Sequence, residues 1–254
     1  MLVNPPAGEV GAAGAGIGLL IGLFGVGGSA FATPVLALLG VSAFAAVASP
    51  LPATIPASLA GAFVYVRRRQ LDWPIAWRSI IGGVPAVVFG ALLSRLVGGR
   101  ALLVLSGLSL AVVGLTLLRH SAAPSAEAPV AAGRPDRIVI YAAGIGLFTG
   151  LLANGGGFLL VPLYVVVLGL GMHRAAGTSL VVVAALAVPT VITHWVLGHI
   201  DWTVASAFAA GAIPAAVVGS RLAQRMGSAI LRTTFGWLLI AFAGYFLARQ
   251  LLSW

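Results

Sequence analysis

Between Glu9 and Arg67 the chain runs for 57 residues without one Asp, Glu, Lys, Arg or His. About 18 consecutive apolar residues already suffice to cross the roughly 30 Å hydrocarbon core of a bilayer. The rest of the chain is similar, with 60% of its 254 residues apolar and 7% charged, against roughly 25% charged in a typical soluble domain. These numbers describe an all-α polytopic membrane protein. They also remove several chemistries. Without Cys there is no disulfide, thiolate nucleophile or thiolate metal site. Without Lys there is no Walker A loop, so an ATP-driven pump within this chain is not expected. No cofactor and no metal site are expected.

Fourteen Arg stand against five acids, a net charge of +9. In a membrane protein such an excess is first a topology signal, because cytoplasmic loops collect basic residues. It does not indicate nucleic-acid binding. Met1 to Val10 lacks the basic leader of a cleaved signal peptide, so the first apolar run is expected in the mature protein.

The charge-free stretch is broken at Gly25-Val26-Gly27-Gly28 and at Ser49-Pro50-Leu51-Pro52. Three full spans need about 60 residues plus turns, so at least one of these segments is not expected to cross fully. Further apolar segments run over about 75–96 and 101–118, then 138–152, 158–172, 175–198, 203–220 and 233–251. Between them, 119–137 reads as a polar, Ala/Pro-rich cytoplasmic linker. The expected division is a repeat over 1–118, the linker, and a second repeat over 138–254, with about five helical segments in each.

The two halves align residue by residue. At an offset of 128, Gly16-Ile17-Gly18-Leu19 falls on Gly144-Ile145-Gly146-Leu147, Gly22 on Gly150, Gly27-Gly28 on Gly155-Gly156, and Pro34 on Pro162. One residue later the offset is 129: Ser49 meets Thr178, Asp72-Trp73 meets Asp201-Trp202, Pro85 meets Pro214, Gly90 meets Gly219 and Gly107 meets Gly236. The matches are Gly, Pro and Asp-Trp rather than interchangeable aliphatics, which makes the duplication specific. Whether the repeats are parallel or inverted can be read from Arg. Inversion puts eleven Arg on one side and leaves Arg95, Arg100 and Arg249 on the other; a parallel arrangement divides them eight to six. The positive-inside rule therefore predicts inverted repeats with both termini outside the cytoplasm.

In the second repeat, Ile138 to Met172 spans 35 residues with Asn154-Gly155-Gly156-Gly157 at its middle, while two crossings and a turn need over about 40. A re-entrant hairpin or a pair of broken helices is expected, its tip inside the membrane. Backbone at that depth needs protein, water or ligand as partner, and glycine lets a ligand come close. Two tips, Gly25–Ser29 and Asn154–Gly157, each leading into a helix, would meet near the midplane. Converging helix N-termini form an anion site without a buried Arg. The residues expected to hold a small anion are Gly25, Gly27, Gly28, Ser29, Ser49, Asn154, Gly155, Gly156, Gly157, Thr178 and Ser179. For Gly14, Gly18 and Gly22, spaced four apart, close helix packing is the favoured role instead.

The pattern Gly16-x-Gly18-x3-Gly22-x2-Gly25-x-Gly27-Gly28-x5-Pro34, its echo from Gly144 to Pro162, and the triplet Gly177-Thr178-Ser179 resemble the TauE/SafE sulfite-exporter family. The likeness covers about 14–118 and 142–247. It implies secondary transport of small sulfur oxyanions or organosulfonates such as sulfite and sulfoacetate, usually in the bacterial inner membrane. The repeat is imperfect where it matters. Ala153 stands opposite Gly25, and Pro50 opposite Ser179, so Asn154, Thr178 and Ser179 carry more weight than their first-half partners.

His194, Arg174, Asp72 and Asp201 remain as candidates for gating or coupling. His194 lies late in its apolar segment, at the repeat position of Tyr65. It could bind an anion or carry a proton, but an interfacial His beside Trp195 is favoured. Asp72 and Asp201 are the acids repeated across the halves, and helix capping is favoured over proton coupling. His173-Arg174 would either attract anions at a vestibule or anchor the loop inside. Other classes are an anion channel, a proton-coupled carrier for another anion such as a carboxylate, and an intramembrane protease using Ser179 and His194. The protease is disfavoured because fifteen helical residues separate that pair by about 22 Å. Substrate, direction, coupling ion and oligomeric state, including a homo-oligomer, stay open.

Overall fold

The computed structural model describes residues 5–93, 99–119, 135–152 and 157–252, with the side chains of a few helical residues left aside. Within them the chain is helical: α1 (Ala7–Phe24), α2 (Ser29–Leu38), α3 (Ala43–Ala48), α4 (Leu51–Arg67), α5 (Trp73–Leu93), α6 (Gly99–Arg119), α7 (Pro135–Leu152), α8 (Gly157–Pro162), α9 (Met172–Val196), α10 (Trp202–Ala223) and α11 (Ser228–Leu252). Among the described residues, six stretches are long and apolar enough to span a membrane: Ala7–Phe24, Phe44–Arg67, Trp73–Leu93, Met172–Val196, Trp202–Ala223 and Ser228–Tyr245. The protein is thus a multi-pass membrane protein. The helices reach into both edges of the expected linker, at Arg119 and Pro135.

The second segment of each half is the short one. Its 10 residues make α2 about 15 Å long, half a bilayer core. Helix α8 has 6 residues and continues as one π-helical turn, Leu163–Val167. Each holds a proline at the same repeat position, Pro34 and Pro162. Proline removes one backbone donor and crowds the preceding turn, which keeps these helices short and irregular. The apolar segment expected over 158–172 accordingly ends early, and α9 begins at Met172.

Glycines bring the long helices together. A Cβ on Gly14, Gly18 or Gly22 would collide with the backbone of Phe208, Ala212 or Ala216, and one on Gly211 or Gly219 with the backbone of Gly11 or Leu19. The same contacts recur between α5 and α7: Gly146 on Gly83, Gly150 on Val87, Gly82 on Val139 and Gly90 on Leu147. Shifted by 128 or 129, the second set is the first with the halves exchanged. The residue numbers rise together along both pairs, so α1 runs parallel to α10 and α5 parallel to α7. Small residues at four-residue spacing let membrane helices approach to backbone contact, where dispersion replaces the missing hydrophobic drive.

Helices α4 and α9 cross in the opposite sense. Gly177, near the start of α9, lies against Tyr65, near the end of α4; Gly61 lies against Leu180. Two hydrogen bonds fix the ends, and they too are exchanged copies. The Asp201 N–H donates to Ser49 Oγ (3.1 Å), and the Asp72 N–H donates to Thr178 Oγ1 (3.0 Å). The main apolar core runs through α1, α2, α4, α8, α9, α10 and α11, with Phe31, Phe158, Phe208 and Phe235 fully enclosed. The outward faces carry exposed Phe63, Ile81, Phe89 and Val112, as expected of lipid-facing helices. Exposed Trp73 and Trp77 mark one end of the bundle and Trp195 and Trp202 the other, in the manner of interfacial aromatic belts.

Candidate functional site

The first glycine tip is a short non-helical passage between α1 and α2. Gly25 stops α1 with φ 72°, and its N–H donates to the Ile21 carbonyl (2.9 Å). Only glycine takes that left-handed conformation without strain. It also has no room for a side chain, because a Cβ there would enter the Ala176 backbone of α9. Gly27 is buried, and Gly28 lies under Ile21 and Ile17. Ser29 opens α2, with its side chain outside the description.

Of the second tip, Asn154, Gly155 and Gly156 lie outside the described residues, while Gly157 is placed at the start of α8. A Cβ on Gly157 would fall on the Gly27 nitrogen, with Val26 and the Val183 methyl close by. The described end of the second tip therefore touches the first, backbone to backbone, beside α9.

One stripe of α9 faces this meeting point. Ala176 packs on Gly25 and Val183 on Gly157. Between them, one turn from each, stands Ser179. Its side chain is fully buried and its hydroxyl has no hydrogen-bond partner. A buried donor without a partner costs about 1–3 kcal/mol, which singles out this hydroxyl as a candidate contact for water or a ligand. Sequence reasoning passed over two further hydroxyls of the same kind. Ser58 on α4 and Thr149 on α7, one turn before the second tip, are buried and unpartnered. Thr149 occupies the repeat position of Ile21, which covers Gly28 in the first half. The signal for Ser58 was weak, since Ala187 stands at its counterpart.

Ser49 and Thr178 are fully buried as well, but each already accepts the backbone N–H of an Asp in the other half. What remains to each is the hydroxyl proton. Asp72 Oδ1 accepts from the Ile75 N–H (3.1 Å); Asp201 Oδ1 accepts from Thr203 (2.8 Å) and Val204 (3.1 Å). Both carboxylates are thus arranged as helix caps. Arg174 is exposed at the start of α9, and neighbouring His173 Nε2 lies 3.0 Å from the Ala223 carbonyl.

His194 is half-buried at the opposite end of α9, with its Nδ1 3.3 Å from His199 Nδ1. Both line a cavity of about 330 Å³ formed with Val87, Gly150, Thr190 and Thr193 among others. Because α9 is continuous from Met172 to Val196, Ser179 and His194 stay about 22 Å apart. They cannot act together as a nucleophile and base, which removes this pair as a protease dyad.

The comparisons agree with this picture. The sulfite exporter TauE/SafE family model matches residues 10–246. A probable membrane transporter protein of Xylella fastidiosa (strain 9a5c) is 30% identical over 243 residues, covering 92% of each chain. The probable membrane transporter protein YunE of Bacillus subtilis (strain 168) is 24% identical, covering 83% of this chain and 87% of its own. No solved structure matches the chain. With its glycine-paired helices and a family match over nearly its whole length, the chain belongs to the sulfite exporter TauE/SafE family.

Proposed function

We propose that the protein is a secondary transporter that carries a small sulfur oxyanion or organosulfonate, such as sulfite or sulfoacetate, across the bacterial inner membrane by alternating access. One observation carries the reading: the two tips touch beside Ser179, a fully buried hydroxyl with no partner. Tip backbone N–H groups and neutral hydroxyls suit an anion that must also leave. Ser179 would donate to its oxygens, helped by Asn154, Thr178 and the N–H groups of Gly27, Gly28, Gly155 and Gly156.

The direction of the helices supports inverted repeats. Corresponding helices α4 and α9 run antiparallel, and α1 and α5 pair with partners from the other half in exchanged fashion. With the Arg distribution, this favours Arg67, Arg68 and Arg69 on the cytoplasmic side and both termini on the other. The family and the names of the relatives support transport rather than catalysis.

A thermal-shift panel of sulfite, thiosulfate, sulfoacetate and small carboxylates on purified protein tests the substrate class. Sulfur oxyanions are expected to stabilise it, and Ser179→Ala is expected to weaken their binding roughly tenfold or more, the worth of a hydrogen bond to a charged group. Stabilisation by carboxylates alone would overturn the class.

A further inference from the structure

By sequence Arg232 belongs with the Arg residues near helix ends, whose charge orients the protein in its membrane. Its surroundings are different. The residue is largely covered, and its Nε and Nη2 have neither solvent contact nor a hydrogen-bond partner. Guanidinium N–H groups out of water without an acceptor are costly, and an anion that accepts from them would offset that cost. Among the described residues, the one other buried nitrogen without a partner is the Gln224 amide, at the end of α10 and so one short turn away in the chain.

The position of Arg232 follows from three neighbours on its helix. Ser228, one turn before it, accepts the Met172 N–H of α9 (3.1 Å). Phe235, one turn after it, stacks on Phe24 (5.0 Å between centroids), the residue preceding Gly25. Leu231 and Phe235 are fully buried, so this stripe of α11 faces the core. Met172, Ala176, Ser179 and Val183 form one stripe of α9, and α11 runs alongside it from the same end. Arg232 thus stands on α11 between the contact with Met172 at the start of α9 and the contact with Phe24, next to Gly25.

We propose that Arg232 is an anion-binding residue at the mouth of the tip site, receiving the oxyanion between the surface and Ser179. This rests on the anion-transport reading and adds a charged contact to it. Arginine suits the task because its planar fork presents two parallel N–H groups to the oxygens of a sulfonate, sulfite or carboxylate. With neutral donors deeper in, the charge captures the anion at the mouth and the hydroxyls hold it at the tips.

The test uses the full-length protein in zwitterionic nanodiscs, with sulfite, sulfoacetate and acetate as probes. Arg232→Gln is expected to weaken anion binding at least tenfold while the ligand-free protein unfolds at the same temperature or higher, since an uncompensated charge has been removed. Arg232→Lys, which keeps charge but loses the fork, is expected to fall between. Lowered ligand-free stability in both variants, with affinity unchanged in Lys, would identify a structural residue and overturn the proposal. So would wild-type sulfite affinity in Gln, which leaves the transporter reading standing. If acetate binds and sulfur oxyanions do not, and Gln abolishes that binding, the substrate class fails and the Arg232 site stands. If added phosphatidylglycerol stabilises the wild type but not Gln, and no solute anion does, the site belongs to a lipid headgroup and the proposal falls.

Discussion

Tyr65 and His194 occupy the same place in the two repeats, and the ends of the bundle they belong to are built differently. Tyr65 is fully buried, its hydroxyl donating to the Gly22 (3.0 Å) and Leu23 (3.3 Å) carbonyls that end α1. Ser220 joins it, donating to the Ala216 carbonyl (2.8 Å) and lying 3.3 Å from that of Gly22. That end is filled. In the other half, Ala91 stands at the position of Ser220, and His194 turns to His199. Gly150, Val87 and Ala91, the counterparts of Gly22, Ala216 and Ser220, then line the cavity of about 330 Å³. The helices that frame the two ends are packed alike. Similarly packed helices thus carry different side chains at the two ends, a hydrogen-bonded tyrosine at one and a histidine pair beside a cavity at the other.

The comparison can be broken most severely where both halves act together. Gly157→Val should abolish transport in proteoliposomes, because its Cβ would enter the Gly27 backbone and push the tips apart. Correct membrane insertion, followed by detergent extraction and chromatography, separates this from misfolding. Surviving flux would show that the tips need not touch.

The scaffold should respond symmetrically. Gly22→Ala and Gly150→Ala press a methyl into equivalent backbones, Ala216 and Val87. Each is expected to cost about 1–3 kcal/mol, as overpacking does. Thermal unfolding should place the two losses within about 0.5 kcal/mol of each other, the usual tolerance for independent sites. A large difference would mean that the halves are not mechanically equivalent.

The plugs should respond unequally. Tyr65→Phe removes the donor to two buried carbonyls and is expected to destabilise by about 1–2 kcal/mol. His194→Phe, at a half-exposed position beside a cavity, should stay within about 0.5 kcal/mol, as substitutions away from a packed core do. Equal losses would show that His194 also seals its end.

Much of this was legible before any coordinates. The glycine spacing on α1 marked packing positions, and Gly14, Gly18 and Gly22 all serve that purpose. The first Gly-Gly tip marked where α1 gives way to α2, and Asp72 and Asp201 marked two caps. These features are local, so backbone geometry and side-chain spacing suffice to read them. Ser58 and Thr149 were not legible, because a serine on an apolar helix reads the same whether its hydroxyl returns to its own turn or faces a site. The burial of Arg232 was not legible for a related reason: a positive charge near a helix end counts toward orientation wherever its side chain points.

The sequence by itself therefore determined a duplicated, helical membrane protein with a glycine break after its first helix, since hydrophobic length and repeat spacing are properties of the chain alone. Tertiary structure decided that Thr178 holds Asp72, that Tyr65 ties α4 to the end of α1, and that two guanidinium nitrogens of Arg232 are buried. Each of those joins residues on different helices, and which faces meet is settled only when the helices pack.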